Sequence, residues 1–410
     1  MWSLRSFAPY CFWGTLLCVC ACASSLAAAE PHELQYGPAL IGPQPAPLRP
    51  TADPLQTTPA APTLGMPETA TVEPADCGYW IVDARHCPIE GAPQEADWCL
   101  QFHRRDASGM QVRPRDEFFG SLQPGVPICI FIHGSYISWE QSVKESEATY
   151  RWLRGAAPDR PLQMVFYSWP SDAHVTYVLP QIDLNILGRR ATYNSLYLGR
   201  LISQIPADRP ISLVGHSHGA RMAASTLHLL SGGEIRGYVL GNQQPERRVR
   251  AVFAAAALDH NWLNPGDRYG NALARTEGVL NVRNSHDLVL SLYPLRIPFG
   301  DESLGRGGFT QLDRWRLGEL NAKVSELEVA PLVQHAHVWP SYFKSKSLAS
   351  AFVPYVYFAD DGQHAPPVLG EKRINFVRTS RDSRPEMYLP TRRAEYIPGV
   401  NLKANLLPRR

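Results

Sequence analysis

The chain is 410 residues long, 44% hydrophobic and 19% charged, with a formal net charge of +2. That hydrophobic share suits a globular protein with a substantial core and excludes a chain disordered throughout. The small net charge speaks against nucleic-acid recognition by a basic field over the whole surface, and no apolar run is long enough for a multi-pass membrane protein.

Residues 1–29 read as a signal peptide. Arg5 supplies a positive start, an apolar stretch runs from Cys11 to Ala23, and Ala27-Ala28-Ala29 offers small residues to a peptidase before Glu30. A retained membrane anchor is the alternative. Val19-Cys20-Ala21-Cys22 loosely matches a lipoprotein anchor box but lacks one of the small residues such a box wants. In each case the mature protein is expected to be exported: periplasmic, secreted or envelope-associated. Four of the eight cysteines lie in this segment. Cys129 falls in the apolar run Val126–Ile132 and is expected to be a buried free thiol in a central strand. Cys77, Cys87 and Cys99 cluster in a polar, exported segment, so one disulfide among the three is expected, with its pairing open.

Residues 30–76 read as a linker. Eleven prolines fall there with no hydrophobic period, alongside six acids and one base. Such a segment buries too little apolar surface to offset chain entropy and is expected to be an extended spacer. Residues 371–410 form a basic tail, with ten Lys/Arg and four acids. The tails read first as solvated chains, leaving open an association with an envelope or membrane surface.

Residues 77–370 read as one neutral domain. Tyr79–Asp83 and Trp98–His103 read as paired strands. Apolar runs follow at Pro127–Ile132, Met164–Trp169, Ile211–Val214, Ala251–Ala257, Val279–Val282 and Val324–Val329. Between several of them lie amphipathic stretches, Trp139–Leu153, Ala191–Ile205 and Ala220–Leu230. Short apolar strands alternating with helices predict an α/β fold: a mostly parallel central sheet with helices on both faces.

The sharpest motif is Gly215-His216-Ser217-His218-Gly219. Alone, G-x-S-x-G is weak. Here the β run Ile211–Val214 leads into it and the helix formers Ala220–Ala224 follow at once. That is the strand–turn–helix setting in which a strained turn lifts a serine Oγ to the top of a sheet. Glycine at both ends lets strand and helix approach, and the helix N-terminus aims backbone N–H groups at a developing oxyanion. A second donor is expected from the loop after an earlier strand, where Cys129–Ile132 runs into His133-Gly134-Ser135-Tyr136. The expected oxyanion donors are the backbone N–H groups of His218 and Ser135, with His133 a structural residue of the loop.

These residues resemble the α/β-hydrolases, in particular a bacterial family of exported or membrane-linked hydrolases. The resemblance rests on Phe131-Ile132-His133-Gly134, Phe166-Tyr167-Ser168-Trp169-Pro170-Ser171 and His216-Ser217-His218-Gly219, and covers roughly residues 120–360. It implies an α/β-hydrolase fold and ester-type hydrolysis. In that fold the triad runs Ser, acid, His along the chain. Asp287, after Val279–Val282, lies where the family's acid resides; Asp259, after Ala251–Ala257, is the alternate, and either can be a plain helix N-cap. The base is expected after the last strand, at His337 with His335 as alternate, since the family has a histidine shortly before a Tyr-Phe pair like Tyr342-Phe343.

The sequence thus predicts a serine hydrolase, esterase- or lipase-like, acting on a small-molecule ester through Ser217, Asp287 and His337, with no cofactor, metal or nucleic acid. Tyr136, Trp139 and Trp169 at loop–sheet junctions suggest an aromatic-lined pocket, and Asp172–Leu187 or Tyr293–Arg316 a cap over it. Two other readings stand beside it. One is a catalytically silent binding module of the cell envelope with this fold. The other is a metallohydrolase that uses His216-x-His218 and His335-x-His337 as ligands.

Overall fold

The computed structural model describes residues 78–89, 99–172, 180–241, 244, 246–296 and 299–359. Backbone contacts divide the chain into Met1–Thr71 and Val72–Arg410, and every described residue belongs to the second unit. The expected signal peptide, proline-rich linker and basic tail, with Cys77 and Trp98, lie outside the described residues.

The strands are β1 (Tyr79–Asp83), β2 (Gln101–Asp106), β3 (Gly109–Arg113), β4 (Ile128–Ile132), β5 (Gln163–Ser168), β6 (Ile211–His216), β7 (Val249–Ala254), β8 (Gly278–Arg283) and β9 (Val324–Glu328). They form one nine-stranded sheet in the order β3-β2-β1-β5-β4-β6-β7-β8-β9. The β1–β2–β3 ladder is antiparallel, and every other pairing is parallel. The chain goes from β4 to β5 on one side of it and returns to β6 on the other, so the sheet changes direction between β4 and β6. Crevices at such switch points, beyond the carboxyl ends of the strands, are where open α/β sheets bind ligands.

Among the described residues the α-helices are α1 (Arg115–Gly120), α2 (Trp139–Ala156), α3 (Pro180–Gln204), α4 (His218–Leu230), α5 (Leu288–Ser291), α6 (Leu304–Gly307), α7 (Gln311–Leu317), α8 (Ala330–Val333) and α9 (Lys346–Val356). Alternation along each central strand sends its side chains into two separate cores. On one face Ile128, Ile130, Ile132, Leu213 and Phe253 pack with Leu198, Leu201 and Ile202 of α3 and Ala223 and Leu227 of α4. On the other, Phe131, Phe166, Val214, Val252 and Leu280 pack with Leu153 of α2 and Leu348, Phe352 and Tyr355 of α9. Fully burying each of these large side chains is worth about 1.5–3 kcal/mol. The fold is therefore a three-layer α/β sandwich of the α/β-hydrolase type.

Several boundaries differ from those read in the sequence. β3 has no counterpart among the sequence expectations, because none of its residues is buried and it shows no apolar run. α3 begins at Pro180, eleven residues before the predicted start at Ala191; proline suits a first helical turn, where its missing N–H has no intrahelical partner anyway. Of the expected cap Asp172–Leu187, residues 180–187 are the start of α3 and 173–179 lie outside the described residues. The other, Tyr293–Arg316, forms a 3₁₀ turn and the short helices α6 and α7. Cys87 and Cys99 form a disulfide, and Cys129 is a buried free thiol held protonated by burial.

Candidate active site

Ser217 sits at the switch point. Strand β6 ends at His216 and α4 starts at His218, leaving Ser217 alone to make the turn, with φ 54° and ψ −121°. A non-glycine residue held there stores about 1–3 kcal/mol of strain. The backbone around it supplies the restraint: the Ser217 N–H donates to the Ala254 carbonyl at 2.9 Å, and its carbonyl accepts from Ala257 at 3.2 Å. The glycines permit the close approach. A Cβ on Gly215 would lie 2.5 Å from Ala220 Cα, and one on Gly219 would overlap the Ile132 carbonyl oxygen.

Ser217 Oγ lies 2.9 Å from His337 Nε2, and His337 Nδ1 lies 2.8 Å from Asp287 Oδ2. A carboxylate only accepts, so Nδ1 carries the proton and Nε2 is left to accept from the serine hydroxyl. Asp287 is fully buried and its two oxygens divide their work: Oδ2 accepts from His337 while Oδ1 caps α5, accepting from the Leu290 N–H at 2.9 Å. The N-cap reading of this residue and its place beside the histidine thus hold together.

The alternates are engaged elsewhere. Asp259 accepts from Tyr293 Oη at 2.9 Å and from the Arg296 guanidinium at 2.6 Å, a buried ion pair beyond β7. His335 is exposed, with Nδ1 at 3.1 Å from the His286 carbonyl, and it makes no contact with Ser217. Among the described residues no group of three or more His, Cys, Asp or Glu side chains converges as metal ligands would. In the two His-x-His pairs His216, His218, His335 and His337 bond four different partners.

The loop after β4 closes the other side. Ile132 pairs in register with Gly215, and a Cβ on Gly134 would lie 3.2 Å from Ser217 Cβ, so the loop abuts the turn. Ser135 Oγ lies 2.6 Å from His218 Nδ1. The backbone N–H of His218, at the first position of α4, has no intrahelical acceptor. Burial holds His218 neutral, its pKa well below the ordinary value. His133 braces the loop: Nδ1–H donates to the Gly134 carbonyl at 2.8 Å and Nε2 accepts from the Trp169 N–H at 3.2 Å. Burial pushes its pKa down to about 3.

The aromatic expectations need correction. Trp169 is fully buried, stacks on His133 and donates its indole N–H to the His133 carbonyl at 2.9 Å, so it supports the loop from beneath and lines no open pocket. Trp139 packs its ring on His103 of β2, away from the turn. Tyr136, in the loop after β4, is half-buried at φ 61° with its N–H on the Ser171 carbonyl. An alternating strand places every second residue on a face, and sequence alone does not say whether an aromatic at a strand end turns outward or into the core.

Two residues of the site carried no signal of their own. The sequence offers His216 as part of the turn and as a metal-ligand candidate, and neither reading points to its contact here: its Nε2 lies 2.6 Å from the His337 carbonyl oxygen. Asn284, fully buried after β8, donates from Nδ2 to the Ala336 carbonyl at 3.1 Å and accepts at Oδ1 from the His286 N–H. It pins the 334–338 loop to the turn after β8 that leads to Asp287. A buried asparagine three residues before a candidate acid is the clue, and it is visible only once the acid is known.

Residues 119–261 match the family described as alpha/beta hydrolase of unknown function (DUF900). No curated protein matches the chain. Among solved structures, the chain is similar to an inhibited esterase B from Lactobacillus rhamnosis at 10% identity, over 69% of this chain and 87% of that one, with a TM-score of 0.38. It is also similar to the lin2722 product of Listeria innocua (11% identity, 58% and 97% covered, TM-score 0.33) and to esterase 2 of Thermogutta terrifontis phosphoramylated by tabun (12%, 64% and 92%, 0.27). The strand order and the family match over β4 to β7 together identify the architecture as an α/β-hydrolase fold.

Proposed function

We propose that this protein is a serine-dependent hydrolase of carboxylic esters that works through an acyl-enzyme. The observation that carries the reading is the Ser217–His337–Asp287 chain, with both hydrogen bonds under 3 Å. His337 Nε2 takes the Ser217 proton as Oγ attacks the acyl carbon, and Asp287 holds the Nδ1–H tautomer and stabilises the imidazolium that forms. The backbone N–H groups of His218 and Ser135 receive the oxyanion, each worth about 3 kcal/mol in comparable sites. His337 returns the proton to the leaving alcohol, and water then repeats the cycle on the acyl-serine. A fluorophosphonate probe tests this directly. Labelling at Ser217 that Ser217→Ala abolishes and EDTA leaves intact supports the serine mechanism; an unlabelled wild-type protein overturns it. A panel of p-nitrophenyl esters from acetate to palmitate then reads the acyl preference.

We also propose that the protein is exported. The Cys87–Cys99 disulfide supports export, since structural disulfides form in oxidising compartments. Cell fractionation with N-terminal sequencing tests it: a mature chain starting near Glu30 is expected, and a cytosolic full-length protein overturns it.

A further inference from the structure

We infer that His216 is a positioning residue of this site: from the last position of β6 its Nε2–H holds the backbone carbonyl of His337 and so sets the base against the nucleophile. The inference rests on the proposed serine mechanism and adds to it a part that the serine, acid and base do not supply.

The base needs such an anchor because its own segment is poorly restrained. His337 lies between α8 and the 3₁₀ turn Trp339–Ser341, in a loop where Gln334 takes φ 52° and Gln334, His335 and Val338 are exposed. Asn284 ties Ala336 to the acid's strand. The His216 bond, at 2.6 Å, runs instead from the residue directly before Ser217 to the backbone of the base itself. It therefore fixes the separation of Ser217 Oγ from His337 Nε2, and misplacement of a reacting group by about 1 Å costs on the order of 100-fold in rate.

The chemistry of the contact is unambiguous. A carbonyl only accepts, so His216 must carry its proton on Nε2 and leave Nδ1 bare. Nδ1 faces Gly134, where a Cβ would intrude to 2.8 Å, so glycine in the neighbouring loop makes the room. The ring is enclosed by His337, Trp339 and Tyr342, with centroids 5.2, 5.7 and 5.9 Å away. Burial lowers its pKa to about 3. A neutral donor can thus sit beside His337 without opposing the imidazolium that forms there in each cycle.

Two variants and one wild-type measurement test the assignment. His216→Phe keeps a ring and removes the donor, while His216→Gln restores an N–H at similar reach. Expected for His216→Phe is a fall in kcat of about 10- to 100-fold with KM changed less than about threefold. The rate of fluorophosphonate labelling should fall in parallel, and His216→Gln should recover most of both. Equal rates for the Phe variant and wild type, or equal impairment of Phe and Gln variants at matched folded fraction, overturn the positioning role. Should the Phe variant fail to fold, nitrogen-15 NMR of wild-type imidazoles decides: His216 must be an Nε2–H tautomer that does not titrate between about pH 5 and 8. An Nδ1–H tautomer, or titration in that range, overturns it. Failure of wild-type labelling strikes the serine mechanism instead, so the two outcomes are distinguishable.

Discussion

The two halves of the site are built differently. On the Ser217 side, every residue of β6 is buried, as are the first twelve of the thirteen residues in α4. Ser217 is held there by backbone bonds to residue 254 at the end of β7 and residue 257 just beyond it. On the His337 side, residues 334–338 are exposed or half-buried, and side chains hold them across long stretches of chain: Asn284 to Ala336, Asp287 and His216 to His337. The first half is specified by a contiguous motif and its glycines. The second is assembled from three separate strands' ends, so its geometry is only as good as its weakest side-chain contact.

The contrast can be broken from its strong side first. Ser217→Ala should lower kcat by at least about 10⁴-fold, read by ester hydrolysis, with the urea midpoint little changed because the backbone restraints remain. Retention of activity would place the nucleophile elsewhere.

On the other side, Asp287→Asn should lower kcat by about 10⁴-fold by stranding His337 in the wrong tautomer. Its stability should stay within about 1 kcal/mol, since asparagine caps α5 as well as aspartate. Asp259→Asn should behave inversely. It leaves the buried Arg296 without a counter-charge and should cost about 3–5 kcal/mol in denaturant unfolding, with kcat in the remaining folded enzyme little changed. Similar effects of the two substitutions would erase the distinction between acid and structural ion pair.

The buried histidines sharpen the comparison through pH. His133 and His216 have folded pKa values near 3 and His218 is also depressed, all by burial, while the unfolded residues titrate near about 6.5. Below the unfolded value the unfolded chain binds the extra protons. Their contribution is therefore fully present above about pH 6.5 and is lost as pH falls towards 3, at about 1.4 kcal/mol per pH unit for each histidine. Urea midpoints measured from pH 7 to 4 should fall accordingly, and His216→Gln should reduce the slope by about one proton. An unaltered slope would mean that His216 is protonated in the folded state. The smallest effect is expected at His335→Ala, which should leave kcat within about twofold because this ring is exposed and meets His286 rather than Ser217 or Asp287.

Much of this was legible in the sequence where the information is local. The run Ile211–Val214, the two glycines and the helix formers after them describe β6, the turn and α4 almost to the residue, because each element's period and breakers lie within its own span. Asp287 and His337 were reachable through chain order and family resemblance. Weaker local patterns failed: β3 shows no apolar run and the first turns of α3 dilute their apolar face with polar residues, so neither was read from its own span. The aromatic pocket failed for a different reason. Trp169 follows a strand end, and the fate of its side chain depends on His133, thirty-six residues away, coming down upon it.

The sequence by itself determined the layered α/β architecture and the nucleophile turn, since hydrophobic period, glycine placement and helix propensity act over a few residues. Only the tertiary structure decided which carboxylate and which histidine meet Ser217, and that His216 reaches back to the His337 carbonyl. Those choices depend on the parallel register of β6, β7, β8 and β9, which brings residues 217, 287 and 337 to one end of the sheet. Hydrogen bonds between side chains so far apart in the chain leave no periodic trace in it, because their geometry exists only once the sheet is assembled and its two cores are packed.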